Sequence, residues 1–294
     1  MISSGVFSED KVKGRCIAFA NHKGGTGKTT LCVNVAGELA EKGKRVLVVD
    51  LDPQGNATSA LGVEKNHLGA CMYDVLWSRC EGYNELSIKD VICSTRVDNL
   101  DIAPATLDLS GILTQFNNAE KPFSVLKDSI NEVKGVYDFI LLDTPPSYGY
   151  FLINAVYAAD SVLIPLDSGA FTTDSIQNFS TLLEDMGDEL GVKVKVQGVT
   201  LTIPQDNFNY KSSRLISQLI PSYKHPSVEV EDKIRVLLSV NNLFTDNLYV
   251  IPYCRKVYEA QSAGVPLKHH DPKNSVNGVY QQIADGLISE ERFI

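Results

Sequence analysis

The decapeptide Asn21-His22-Lys23-Gly24-Gly25-Thr26-Gly27-Lys28-Thr29-Thr30 decides how the rest of this chain is read. The apolar run Cys16-Ile17-Ala18-Phe19-Ala20 precedes it and reads as a strand; Leu31 to Leu39 follows and reads as a helix. A strand, a glycine-rich turn and a helix start, in that order, make a phosphate cradle. Glycines accept positive φ and let backbone N–H groups close on anionic oxygens, and the helix N-terminus adds partial positive charge. In that frame Lys28 reaches the β- and γ-phosphates of a nucleotide, and the Thr29 hydroxyl lies on Mg²⁺.

A standard P-loop has a glycine five residues ahead of Gly27; this chain has His22 there. The turn opens instead on a second lysine, Lys23. Two lysines bracketing one loop are more than one triphosphate needs from one chain. Lys23-Gly24-Gly25-Thr26-Gly27-Lys28-Thr29 resembles the deviant Walker A motif of the ParA/MinD ATPases, relatives of the nitrogenase iron protein. The resemblance implies a nucleotide-binding segment of Lys23, Gly24, Gly25, Thr26, Gly27, Lys28, Thr29 and Thr30. It also implies that Lys23 crosses a dimer interface to the partner's nucleotide, so that Lys23 and Lys28 both serve catalysis.

The stretch Val49-Asp50-Leu51-Asp52-Pro53-Gln54-Gly55-Asn56 sets carboxylates just past a second strand, at the ligand-bearing edge of an open α/β sheet. It resembles the family's D-x-D-P-Q-G-N. On that match Asp52 orients or activates the attacking water, Asp50 supports the Mg²⁺ water shell and Asn56 lies near the metal. A third apolar run, Phe139-Ile140-Leu141-Leu142, ends in Asp143-Thr144-Pro145-Pro146 and reads as a Walker B strand. Its terminal Asp143 can hold Mg²⁺ through water. The metal candidates are therefore Thr29, Asp50, Asp52 and Asp143, and the cofactors expected are ATP and Mg²⁺.

Strand-like runs recur at 45–49, 100–103, 161–165, 195–202 and 248–251, with helix-like segments between most of them. This rhythm predicts an α/β fold with a mostly parallel twisted sheet flanked by helices on both faces. The continuous apolar runs Val46-Leu47-Val48-Val49 and Ile140-Leu141-Leu142 suit strands covered on both sides. With the motifs above, the expectation is a deviant P-loop NTPase domain over residues 15–294, behind an N-terminal extension of residues 1–14. Residues 63–98 and 204–247 are less regular and read as short helices with loops.

Composition narrows the function classes. The chain has 294 residues, is 44% hydrophobic and carries a net charge of −9, so no global basic field advertises nucleic acid. Residues 200–294 hold ten basic and ten acidic side chains, so any basic patch there is local. Six cysteines at 16, 32, 71, 80, 93 and 254 form no CxxC pair, and no disulfide framework or iron–sulfur site is expected. His269-His270-Asp271 has no partner at metal-ligand spacing. No run reaches the ~18 apolar residues of a membrane span. The C-terminal Ser289-Glu290-Glu291-Arg292 is unlike the basic amphipathic helix of MinD-type proteins.

Further matches widen the resemblance to roughly residues 15–288. Tyr73-Asp74-Val75-Leu76, Leu107-Asp108-Leu109-Ser110-Gly111 and Ile251-Pro252 with Glu259-Ala260 resemble family segments, and the last packs near adenine, which adds Pro252 to the nucleotide residues. Pro53-Gln54-Gly55-Asn56 favours the ParA branch. That branch implies a slow, partner-stimulated ATP hydrolase, homodimeric on ATP, binding DNA without sequence preference and working with a ParB-type centromere-binding protein. A cargo adaptor replaces that partner if the load is a protein assembly; a module with a degenerate nucleotide site is the other alternative. A cytoplasmic, nucleoid-associated protein with no membrane partner is expected. DNA candidates are Lys211, Arg214, Arg255, Lys256, Lys268 and Lys273, with Lys256 at a basic position the family uses for DNA. Pro204-Gln205-Asp206-Asn207 is acidic where the family is often basic.

Overall fold

The apolar runs become strands whose alternate side chains feed two separate cores. The computed structural model describes residues 14–81, 86–117, 119–169, 171–203, 214, 217–219 and 226–290. Its strands are β1 (Arg15–Phe19), β2 (Val46–Asp50), β3 (Cys93–Ser94), β4 (Leu100–Ala103), β5 (Phe139–Asp143), β6 (Ser161–Asp167), β7 (Lys195–Ile203) and β8 (Leu248–Pro252). They form one sheet in the order β3-β4-β2-β5-β1-β6-β7-β8. Every pairing is parallel except the short antiparallel contact of β3 with β4.

β1, β2 and β5 are buried along their whole length. Side chains alternate across a strand, so Cys16, Ala18, Leu47, Val49, Ile140 and Leu142 enter one core. Ile17, Phe19, Val46, Val48, Phe139 and Leu141 enter the other. The first core is closed by α3 (Met72–Glu81), α4 (Leu113–Phe116), α5 (Val125–Asn131), α6 (Tyr150–Ala158), α7 (Thr172–Leu190) and α8 (Pro226–Val240). The second is closed by α1 (Lys28–Glu41), α2 (Asn56–Ala60), α9 (Arg255–Ser262), α10 (Leu267–His270) and α11 (Asn277–Glu290). This is the α/β sheet with helices on both faces that the sequence rhythm predicts.

The differences are local. β3 has two residues, too few to show a period, and was not expected. β2, β5 and β6 each run on to an aspartate, so Asp50 and Asp143 are the last strand residues rather than the first loop residues. Among the described residues no helix is long and apolar enough to cross a membrane. The 204–207 departure, Lys211 and residues 291–294 lie outside the described residues.

Strand order places the site. β1 pairs with β5 on one side and β6 on the other. The chain leaves β1 for β2, beyond β5, and later crosses to β6. The direction of winding reverses at the C-terminal end of β1, where an open α/β sheet leaves a crevice for a ligand.

Candidate nucleotide and metal site

The turn after β1 is held open by its glycines and tied down at both edges. Gly25 and Gly27 have φ of 75° and 87°, values that a side chain makes costly. The Asn21 amide donates to the Pro165 carbonyl at 2.7 Å and its oxygen accepts the Lys23 N–H at 3.0 Å, so the turn is fastened to β6. The Thr144 hydroxyl donates to the Phe19 carbonyl at 2.8 Å and ties the end of β5 to β1. No side chain caps the N-terminus of α1. Its first-turn N–H groups are therefore available to an anion, reinforced by the helix dipole.

Lys28 is buried and its ammonium donates to the Lys23 carbonyl at 2.9 Å. Burial lowers its pKa, opposed by the Asp143 and Asp52 carboxylates. Thr29 donates its hydroxyl to Asp143 Oδ2 at 2.7 Å. The second oxygen of Asp143, Oδ1, is fully buried with no hydrogen-bond partner among the described residues. Burial first, then Asp50, pushes the Asp143 pKa well above the ordinary carboxylate range, against the Thr29 hydrogen bond. A buried oxygen without a donor is costly. A cation beside Thr29 and Asp143 would remove both the lone acceptor and the carboxylate repulsion, so this hard-oxygen pair fits Mg²⁺.

Asp50 and Asp52 face different ways. Asp50 is fully buried. Its Oδ2 accepts the Thr58 N–H at 2.8 Å and the Thr58 hydroxyl at 2.7 Å, and its Oδ1 accepts the Asp52 N–H at 3.1 Å. Its pKa rises to about 6 because burial outweighs those bonds. The resemblance places Asp50 around Mg²⁺; here its two oxygens accept protein donors that brace the loop. Asp52 Oδ1 accepts the Gln54 N–H at 2.9 Å. Asp52 lines a cleft of about 520 Å³ together with Gly25, Gly27, Lys28, Thr29, Thr30 and Asn56. That volume suits a small-molecule site.

A second, smaller cleft of about 220 Å³ shares Gly25, Gly27 and Thr30 with the first and is walled by Thr200, Thr202, Pro252 and Tyr280. Pro252, which the resemblance sets near adenine, lines this second cleft. The N–H of Tyr253 is donated to the Ile203 carbonyl at 3.1 Å, at the end of the β7–β8 pairing. Tyr258 and Gln261 line both clefts, and the Gln261 amide donates to the Thr30 hydroxyl at 3.0 Å.

Lys23 is turned back onto its own chain. Its ammonium donates to both oxygens of Asp167, at 2.8 and 2.7 Å, at the end of β6. Burial raises the Asp167 pKa, but the Lys23 ammonium and the Gly169 N–H hold it below the usual carboxylate range. His22, in place of the missing glycine, stacks on Tyr148 with ring centroids 4.3 Å apart. Burial, Lys28 and Lys23 all lower its pKa and favour the neutral ring.

The basic candidates separate. Arg214 lies 2.6 Å from the buried Glu231, an internal ion pair rather than a free surface charge. Arg255, Lys256, Lys268 and Lys273 gather on α9, α10 and the turn after them. Glu259 interrupts the patch: it accepts from Lys256 at 2.7 Å and lies 3.8 Å from Arg255.

The sequence profile of the AAA domain family matches residues 14–196. Sporulation initiation inhibitor protein Soj of Bacillus subtilis is 35% identical over 273 residues, spanning 92% of this chain and 97% of that protein. Chromosome partitioning protein ParA of Caulobacter vibrioides is 32% identical over 282 residues, spanning 95% of each. This chain belongs to the ParA/Soj family of partitioning ATPases. The fold reaches further than the family: cobyrinic acid a,c-diamide synthase from Mycobacterium smegmatis, with bound ADP and magnesium, superposes with a TM-score of 0.71 at 23% identity, covering 95% of this chain and 96% of that one. At that identity the shared property is the fold.

Sequence reasoning about this ParA/Soj-family chain missed Asp167, Thr58, Gln261 and the His22–Tyr148 stack. Asp167 was within reach. It closes an apolar run at the same sheet edge as Asp143, and the rule that selected Asp143 selects it too. Thr58 and Gln261 carry no such signal, because their partners Asp50 and Thr30 are met only in the folded chain.

Proposed function

We propose that this chain is an ATP-gated dimerising switch that binds DNA without sequence preference and drives partition with a ParB-type partner. Lys28 and the open N-terminus of α1 would hold the triphosphate, and Thr29 with Asp143 would hold Mg²⁺, which when bound would supply charge neutralisation for phosphoryl transfer. Asp52 orients the attacking water from the rim of the cleft. Arg255, Lys256, Lys268 and Lys273 of two subunits together form the DNA surface, and the protein works on the nucleoid in the cytoplasm.

The observation that carries this reading is the position of Lys23. It is a second cation at the phosphate cradle, held by Asp167 in an ion pair whose side chains are 31% and 33% exposed. A pair open to water on one side is held less firmly than a fully buried one. A partner's nucleotide phosphates are therefore a competitive acceptor, and dimerisation couples to charge stabilisation of phosphoryl transfer. Light scattering tests it: the wild-type chain with Mg²⁺ and a non-hydrolysable ATP analogue doubles in mass, whereas Lys23→Ala binds nucleotide and stays monomeric. A Lys23→Ala chain that dimerises as wild type removes Lys23 from the interface.

A further inference from the structure

We propose that Lys65, which no motif singles out, is a positioning residue for hydrolysis: it clamps the turn that carries Asp52. The inference rests on the hydrolytic role of Asp52 proposed above. The Lys65 ammonium donates to the Gln54 carbonyl at 2.7 Å and to the Gly55 carbonyl at 3.2 Å. The same two residues hold Asp52 from their other side: Gln54 donates its N–H to Asp52 Oδ1 at 2.9 Å, and Gly55 donates its N–H to the Asp52 carbonyl at 2.8 Å. Each of these residues is therefore gripped by Asp52 at its N–H and by Lys65 at its carbonyl.

The stem of Lys65 is built into the turn as well. Gly55 has φ of 62°, and a Cβ there would stand 2.7 Å from Lys65 Cδ and 2.6 Å from the Ala105 carbonyl. The glycine is what lets the lysine lie across the turn. The root of Lys65 is anchored to the same carboxylate system: Val63 donates its N–H to the Thr58 carbonyl at 3.1 Å, and Thr58 is bonded through its N–H and hydroxyl to Asp50. The links Asp50–Thr58–Val63–Lys65–Gln54–Asp52 close a ring around the cleft-facing loop.

The clamp is not needed to rescue a buried acceptor. Gln54 is exposed, so water can serve its carbonyl once the lysine is gone, and the carbonyl of the buried Gly55 also accepts the Ser59 N–H at 3.1 Å. Nor does the helix dipole favour it, since a cation beside the start of α2 is on the unfavourable end. What it supplies is a fixed turn, and so a fixed direction for the Asp52 carboxylate. Misplacement of a reacting group by about 1 Å costs up to about 10²-fold in rate.

The test is steady-state and single-turnover ATP hydrolysis by Lys65→Met and Lys65→Arg, with MgATP affinity and urea denaturation measured on the same samples. Lys65→Met should lower kcat about tenfold while the MgATP Kd stays within about twofold, and Lys65→Arg should recover most of the loss. In an Asp52→Ala background Lys65→Met should cause no further loss, because the carboxylate it positions is gone. Wild-type kcat in Lys65→Met overturns the proposal. So does a parallel fall of affinity, stability and kcat, which is the mark of a structural residue. A wild-type chain that binds MgATP and never turns it over overturns the hydrolytic reading, and this one with it.

Discussion

Buried groups at the sheet are tuned by what surrounds them, and the same reasoning sorts reactive side chains from inert ones. Asp143 and Asp50 are carboxylates brought into register at the ends of two neighbouring strands, β5 and β2, and the protein answers the repulsion with hydroxyl and amide donors. The Cys16 and Cys32 thiols have no such donors among the described residues. Burial raises both thiols, with Asp160 adding to the effect at Cys16 and Asp143 and Asp50 adding at Cys32. A raised thiol pKa means the thiolate, the reactive species, is absent. Iodoacetamide at pH 8 should therefore leave Cys16 and Cys32 intact in the folded chain and modify the part-exposed Cys254. Raising the pH to 9 should not change that until denaturant is added. Mass spectrometry of labelled Cys32 in the native chain would show that the core opens on the labelling timescale.

Elements meet here with little spare room. α1 carries the phosphate-binding start and packs along α11 and α10. At Gly37 a Cβ would stand 2.5 Å from the Pro266 Cβ and 2.8 Å from its Cγ. Alanine is the better helix former by about 1 kcal/mol, but overpacking costs about 1–3 kcal/mol, and a proline ring has little freedom to move aside. Gly37→Ala should lower the urea midpoint, against propensity alone. A midpoint that rises would mean that the α1–α10 contact yields easily. The close packing also bears on the proposed function, since it fixes α10 beside the helix whose N-terminus opens on the cleft.

At the scale of the whole molecule, charge is arranged against a net of −9. The basic side chains Arg255, Lys256, Lys268 and Lys273 are diluted by Glu259, so one subunit presents a weak field, which the proposed dimer would double. Binding to non-specific duplex should therefore require ATP and fall steeply with salt. Lys256→Glu should weaken it at every sequence tested and reduce the slope of log K against log salt by about 1–2. An unchanged salt slope would place the DNA surface elsewhere.

Much of this was legible in one dimension. The P-loop, the carboxylates Asp52 and Asp143 at the sheet edge and the parallel α/β sheet follow from local chemistry: glycines that permit positive φ, apolar runs long enough for doubly covered strands, and a lysine and threonine at fixed spacing. Such signals survive in sequence because each acts within one turn or one strand. The tertiary structure decided the rest. It turned Asp50 inward onto Thr58, folded Lys23 back onto Asp167 144 residues away, stacked His22 on Tyr148 and laid Lys65 across Gln54 and Gly55. The Lys23 and His22 contacts join segments far apart in the chain, and the winding of the sheet around β1 sets which residues meet there; the Asp50 and Lys65 contacts are local, but the turn after β2 that makes them is shaped only in the folded chain.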